Sequence, residues 1–192
     1  MCADSQTPLG VLQSCHTWLP TTQHWLATQV FSLPDSIRTA IACRDAQNLD
    51  QFHHARLHVR DEREFGPRPI SWALDQLQSL EPAGYVLREW GRRRWADFRA
   101  ELADREGAEV IHSHFGNTGW LDRPVARRAD LAHVVSCYGF DISYLPRDKP
   151  HWRDRLQTLF QDVDRVLCEG PHFADQIAEF GCPRDKIEVH HL

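Results

Sequence analysis

The sequence predicts a doubly wound α/β domain: one mainly parallel sheet of about seven strands, with helices on both faces. Short apolar runs rich in β-branched residues recur along the chain and end in glycine or polar residues, as buried strands do. Segments of helical spacing fill the intervals, and strand–helix–strand repeats close into parallel units. The chain has 192 residues, 42% of them hydrophobic, enough for one domain with a sizeable core.

Residues 108–144, AEVIHSHFGNTGWLDRPVARRADLAHVVSCYGFDISY, organise the rest. One apolar run is Val110–Ile111, followed by His112, Ser113, His114 and Gly116; the second spans 133–137, followed by Tyr138, Gly139 and Asp141. A short helix is expected over 120–129 between them. In open parallel sheets ligands sit beyond the carboxyl ends of the strands, where both polar clusters fall.

Taken in order, 8–15 is the first strand candidate. Thr21 or Thr22 can cap the helix carrying Trp25, Leu26, Val30 and Phe31. Residues 36–43 form the second strand, 44–52 a connection and 55–59 a weaker third strand. Gly66, Pro67 and Pro69 break the chain before a helix over 70–80. A longer helix covers 85–105, with Leu87, Trp90, Phe98 and Leu102 on its inner side and Arg92, Arg93 and Arg94 on the other. An amphipathic helix follows at 151–161, then a strand at 164–169. The next helix opens on Gly170–Pro171, buries Phe173, Ile177 and Phe180, and stops at Gly181. A turn at 183–186 leads into a last strand, 186–192.

Composition narrows the function. A formal net charge of −5 argues against general nucleic-acid binding. The six cysteines show no CxxC spacing and read as reduced thiols of a cytoplasmic chain. No apolar run approaches the ~20 residues of a membrane span, and no signal peptide is visible.

The GxGxxG, GxxxxGK and GxSxG fingerprints are all missing. His112 and His114 share a strand face, but no third ligand stands at a metal-site spacing, so no metal or cofactor is expected. His53–His54 and His190–His191 read as solvated. The Arg92–Arg94 run reads as a solvated helix face; contact with phosphates or an anionic membrane face is the alternative, the membrane reading weakened by Asp97, Glu101 and Asp104. Gly116, Gly119 and Gly139 serve either a turn or the close approach of a ligand.

On these residues the chain resembles the N-terminal domain of a family-4 glycosyltransferase of the two-domain GT-B architecture. The resemblance rests on Glu109-Val110-Ile111-His112-Ser113-His114-Phe115-Gly116 and on Val135-Ser136-Cys137-Tyr138-Gly139-Phe140-Asp141-Ile142-Ser143. Val166-Leu167-Cys168-Glu169-Gly170-Pro171-His172 resembles a later strand and helix start; Gly181-Cys182-Pro183, Lys186-Ile187 and Val189-His190-His191 resemble the segment after it. Leu19-Pro20-Thr21-Thr22-Gln23-His24-Trp25 is similar to the first loop of a subgroup acting in polysaccharide synthesis.

The resemblance implies a single Rossmann-like acceptor-binding domain over 1–192, one half of the fold, with the donor-binding domain outside this chain. It implies a retaining transfer of sugar from a nucleotide-sugar to a hydroxyl acceptor, with no metal required. The acceptor is lipid-linked or free, and peripheral contact with the inner face of a membrane and weak self-association are further expectations. The implied catalytic residue is Tyr138, where many relatives place a histidine against the transferred sugar; a tyrosine there would donate or orient. The implied acceptor-side residues are Thr22, Gln23, His114, Phe115, Gly116, Gly139 and Asp141. Asp141 has a structural alternative, capping the segment after it. Two other readings stand beside this one: a non-catalytic Rossmann-like binding or partner module, and an unrelated flavodoxin-like small-ligand domain, which the lack of a phosphate-binding loop disfavours.

Overall fold

The computed structural model describes residues 7–60 and 83–191. The expected helix over 70–80 and Cys2 lie outside those residues. The first half runs β1 (Leu9–Ser14), β2 (Thr17–Trp18), α1 (Trp25–Phe31), β3 (Ile37–Cys43), β4 (Asp45–Ala46) and β5 (Leu57–Val59). The long helix α2 (Ala83–Glu106) leads to β6 (Val110–His114), α3 (Gly116–Arg128) and β7 (Ala132–Cys137). A π-helical turn (Phe140–Tyr144) runs into α4 (Leu145–Asp148) and α5 (His151–Asp162). Then come β8 (Arg165–Cys168), α6 (Pro171–Glu179), a 3-10 turn (Arg184–Lys186) and β9 (Ile187–Val189).

Seven strands form one sheet in the order β5-β3-β1-β6-β7-β8-β9, every pairing parallel. The fold is the doubly wound α/β sheet that the alternation predicts. β2 and β4 pair separately, inside segments that read as loops. Two-residue strands carry no periodicity of their own.

Strand alternation sends successive residues to opposite faces. On one face Leu12, Ala40, Ala42 and Ile111 pack with Leu102 and Ala103 of α2 and Val125 of α3. Further along that face Val135, Cys137 and Val166 meet Leu156, Leu159 and Phe160 of α5 and Ile177 of α6. On the other face Ile41 and Cys43 pack with Trp18, Leu19 and the α1 residues Leu26, Ala27 and Val30. Helices therefore cover both faces. The five cysteines among the described residues are buried free thiols.

Three local expectations are corrected. α1 is capped by His24, without a side-chain bond, so neither Thr21 nor Thr22 caps it. Asn48 instead holds the preceding loop, donating to the Leu19 carbonyl at 2.8 Å and lying 3.3 Å from His24 Nε2. On α2 the inner residues are Trp95, Arg99, Leu102 and Ala103, and Trp90 is exposed. Arg92 and Arg93 pair with Glu89 of their own helix, and the Arg94 guanidinium lies over the Trp90 ring. α3 starts at Gly116, four residues ahead of the expected Trp120, because its first turn is Gly-Asn-Thr-Gly, with no apolar period to read.

Gly116 and Gly119 are packing glycines. A Cβ on Gly116 would meet Leu156 at 2.7 Å, and one on Gly119 would meet Val135 at 2.8 Å. Their smallness lets α3 sit against α5 and β7.

A buried ion pair joins α2 to α3: Arg99, 1% exposed, holds Asp122, which is fully buried. Ser113 of β6 donates to Asp122 Oδ2 at 2.7 Å and lies 2.9 Å from His133 Nε2 of β7. Burial pulls the Arg99 pKa down, and the Asp122 carboxylate pulls it back up. Removing one partner leaves the other charge alone in the core, at a cost of about 3–5 kcal/mol. Asp122→Ala should therefore lower unfolding stability by about that much. Urea melts of the variant against the parent chain check it.

Candidate functional site

The strand order reverses between β1 and β6. From β1 the chain steps outward to β3 and β5 on one side, then restarts at β6 on the other. The crevice beyond the strand ends at such a switch point is where open α/β sheets bind ligands. His114 closes β6, and Tyr138 follows β7 directly. Both side chains project to the α1 face, since Ser113 and Cys137 occupy the other.

Tyr138 Oη lies 2.9 Å from His114 Nδ1, and His114 Nε2 lies 2.9 Å from Gln13 Oε1 of β1. The Gln13–His114 contact thus spans the switch point. From α1, Gln29 Oε1 stands 3.3 Å from Tyr138 Oη, and the Trp25 ring packs 4.4 Å from the Tyr138 ring. Phe115 meets the same ring edge-on at 4.9 Å. His112 lies beside His114 with ring centres 4.4 Å apart, and its Nε2 is 2.8 Å from Ser136 Oγ.

Asp141 builds the frame under this cluster. Its Oδ2 accepts from the Gly116 N–H at 2.7 Å and its Oδ1 from the Tyr138 N–H at 3.0 Å. One carboxylate therefore fastens the start of α3 to the end of β7. It caps the helix before it in sequence, where the alternative reading placed the cap on the segment after it. Phe115, the residue preceding α3, has φ +74, a strained value for a residue with a side chain. Its conformation is held from both sides, by its own N–H donating to the Ser136 carbonyl at 2.9 Å and by Asp141 on the next N–H. Gly139 at φ +83 then turns the chain into the π-helical segment. On that segment Phe140 and Tyr144 are 47% and 50% exposed and stack on each other.

Of the residues implied by the resemblance, the structure brings His114, Phe115, Gly116, Tyr138, Gly139 and Asp141 together. Thr22 and Gln23 lie in the turn ahead of α1. Neither side chain hydrogen-bonds a member of the cluster; Trp25 and Gln29 make those contacts from the helix itself. Gln13 and Gln29 escaped the sequence reading. Gln13 did carry a signal, a long polar side chain inside the mainly apolar β1, where burial demands a partner. Gln29 carried none beyond lying one turn after Trp25. Among the described residues no group of three or more His, Cys, Asp or Glu side chains is placed to hold a metal ion. None of the described helices is long and apolar enough to cross a membrane.

Burial sets the protonation of the cluster. It pushes His112 down to about 4, helped by the charges of His190 and His133. It pushes His114 well below the ordinary histidine range, helped by His112. Burial also raises the Tyr138 phenol above its ordinary value, against a downward pull from the Ser136 hydroxyl. The cluster is therefore uncharged at neutral pH, a set of neutral donors and acceptors suited to hydroxyl groups.

Acid stability follows from the same shifts. An unfolded imidazole titrates near 6.5, but folded His112 only near 4. Between those values the unfolded chain binds a proton that the folded chain refuses. The contribution is whole above about pH 6.5 and is lost as the pH falls toward about 4. His114 and His133, both depressed by burial, act in the same sense. Asp141 acts oppositely, because burial raises its carboxyl and the folded state holds that proton more tightly. The histidines should dominate between about pH 6.5 and about pH 5, lowering the urea midpoint across that window. Replacing Asp141 by Ala strands two buried N–H donors, at about 1–3 kcal/mol each. A urea melt at neutral pH measures that loss.

No curated protein matches this chain. Among solved structures it resembles Anabaena HepE in complex with UDP, with a TM-score of 0.65 and 11% identity over 95% of this chain and 43% of that one. It resembles sucrose-phosphate synthase from Thermosynechococcus elongatus, with a TM-score of 0.59 and 8% identity over 96% of this chain and 48% of that one. For UDP-N-acetylglucosamine 2-epimerase from Rickettsia bellii the TM-score is 0.57 and the identity 9%, over 95% of this chain and 44% of that one. At such identities the likeness is one of fold, and the chain spans less than half the length of each. The sequence family matched by residues 60–191 is more specific. Those residues include both strand ends of the cluster, His114 and Tyr138, and the Asp141 frame that holds them, and on that match the chain belongs to Glycosyltransferase Family 4.

Proposed function

We propose that these 192 residues form the acceptor side of a retaining glycosyltransferase. Its reaction moves a sugar from a nucleotide-sugar to a hydroxyl acceptor, in polysaccharide or glycoconjugate synthesis. The observation that carries this reading is the neutral hydrogen-bonding cluster of Gln13, His114, Tyr138 and Gln29 at the switch point of a family-4 domain. A sugar or acceptor hydroxyl needs such groups and gains little from fixed charge. HepE is solved with UDP and with UDP-glucose, which favours a uridine nucleotide-sugar as the donor here too.

In this reading the donor is gripped by a second domain that faces the strand ends across a cleft. Thr22, Gln23, His114, Phe115, Gly116, Gly139 and Asp141 line or support the acceptor side, and Tyr138 meets the reacting groups. The protein works at the cytoplasmic side of a membrane, and the exposed Phe140–Tyr144 pair beside the cleft suits peripheral contact or weak self-association. The main rival is a non-catalytic binding module. Tyr138 favours it, since that position is a histidine in many relatives.

This chain alone should fold and should not transfer sugar. Positioning a donor against an acceptor supplies up to roughly 7–11 kcal/mol of the barrier, and stabilising the leaving diphosphate is often the largest single contribution. Assaying the purified chain against a panel of nucleotide-sugars and acceptors tests this; clear transfer would place the donor site within these residues. Tyr138→Ala should lower turnover in an enzyme containing both halves. It also removes packing from Trp25 and Phe115, so Tyr138→Phe is the cleaner variant. Losing one working hydrogen bond of about 1.4 kcal/mol corresponds to a roughly tenfold fall in kcat/KM, with the fold retained and stability lowered by about 1–3 kcal/mol because buried His114 Nδ1 loses its partner. Unchanged kcat/KM in Tyr138→Phe would remove the hydroxyl from the mechanism.

A further inference from the structure

Helices α2, α3 and α5 share the sheet face opposite α1. Since α3 and α5 each lead back from a strand end, their first turns lie at the strand-end edge. There the Arg155 guanidinium of α5 lies 5.8 Å from the centre of the Trp120 ring of α3 and 5.0 Å from that of Trp152. A ring face attracts a cation, but it does not accept the guanidinium N–H groups as an oxygen would. Among the described residues no carboxylate or other acceptor meets Arg155. Its neighbour Arg123 lies over the same Trp120 ring at 4.4 Å, yet it is ion-paired with Asp162, as is Arg127. Arg155 is further disfavoured by Arg92 of α2: burial, and then the charge of Arg92, pull its pKa below the ordinary value. Arg92 and Arg93 have one carboxylate between them, Glu89. Three guanidinium groups are therefore paired with a single carboxylate, in a chain whose formal net charge is −5.

We propose that Arg155 and Arg92, flanked by the Trp120 and Trp152 rings, bind a phosphate group. A phosphate monoester carries roughly two negative charges at neutral pH, which matches that surplus. The planar fork of Arg155 can meet two of its oxygens at once, and the flanking rings hold the fork in place. A carboxylate would bring one charge and leave one guanidinium unmatched. The site is separate from the neutral cluster, because His114 and Tyr138 emerge on the α1 face of the sheet and these helices cover the other. It therefore holds whether or not the domain transfers sugar. The phosphate belongs either to a lipid headgroup at a membrane surface or to a soluble phosphorylated molecule.

Inorganic phosphate titrated into the nitrogen-labelled chain at constant ionic strength is the first test. The indole N–H signals of Trp120 and Trp152 should shift and saturate. Arg155→Gln should weaken that binding roughly tenfold or more. Arg155→Lys should restore only part of it, since an ammonium keeps the charge without the fork. Shifts that fail to saturate, or that saturate equally in Arg155→Gln, overturn the proposal. Arg92→Gln should weaken binding as well, and it decides the question if Arg155→Gln does not fold; unchanged binding there overturns the pair. Co-sedimentation with phosphatidylcholine vesicles, with and without phosphatidic acid, identifies the source. Pelleting that needs both phosphatidic acid and Arg155 assigns a lipid headgroup. Saturable phosphate binding without pelleting assigns a soluble phosphate. Neither pelleting nor saturable binding overturns the site.

Discussion

The Arg99–Asp122 pair is the interaction on which the rest of this domain depends. Two charges without water are tolerable when each is met by the other and most remaining polar atoms find partners; here only the Arg99 Nε of the pair lacks one. Asp122 meets Arg99 with one oxygen and Ser113 with the other, and Ser113 lies against His133. The Arg99 guanidinium also rests over the Trp95 ring, 4.1 Å from its centre. That arrangement permits little sliding of α2, α3, β6 or β7. A buried pair of this kind is weak evidence for extra stability, and its value lies in specifying one register. The specified register is that of β6 and β7, the strands whose ends carry the site.

Strand alternation turns that register into chemistry. Ser113 and His133 serve the network on one face, and their alternation partners His114 and Tyr138 emerge on the other. A one-residue slip would exchange the two sets, placing a serine at the strand-end edge and the imidazole in the core. The second anchor, Asp141, holds the backbone with both carboxylate oxygens, so the side chains of Phe115 and Tyr138 stand at the strand ends packed against each other. Charge in this domain is spent on frame positions. The strand-end cluster holds imidazoles and a phenol that burial keeps neutral. The division is consistent with the proposed function, because a fixed charge at the strand ends would compete with recognition of a hydroxyl.

The seven-strand alternation was legible in the sequence because β-branched apolar runs and glycine stops report burial locally. The strand ends at His114 and Tyr138 were legible for the same reason, and the family resemblance ran through those segments. Long-range partners were less legible. Gln13 sits 101 residues from His114, and Gln29 sits 109 from Tyr138. Nothing in a local period encodes such a distance, and only the parallel order β1-β6-β7 brings them together. Thr22 and Gln23 are implied only by the resemblance of the first loop; the contacts with Tyr138 come from Trp25 and Gln29 of α1.

By itself the sequence determined the seven strands of the main sheet, the alternation of helices between them, and which polar residues stand at strand ends. These are properties of neighbours a few residues apart, set by the periods of the strand and the helix. The tertiary structure alone decided that Gly116 and Gly119 make room for Leu156 and Val135, that Asp141 caps the helix preceding it, and that Arg99 lies in the core. Each of these depends on what another element places a few ångströms away. A glycine, an aspartate or an arginine looks the same in sequence whether that neighbour is a ligand, a backbone N–H or a buried carboxylate.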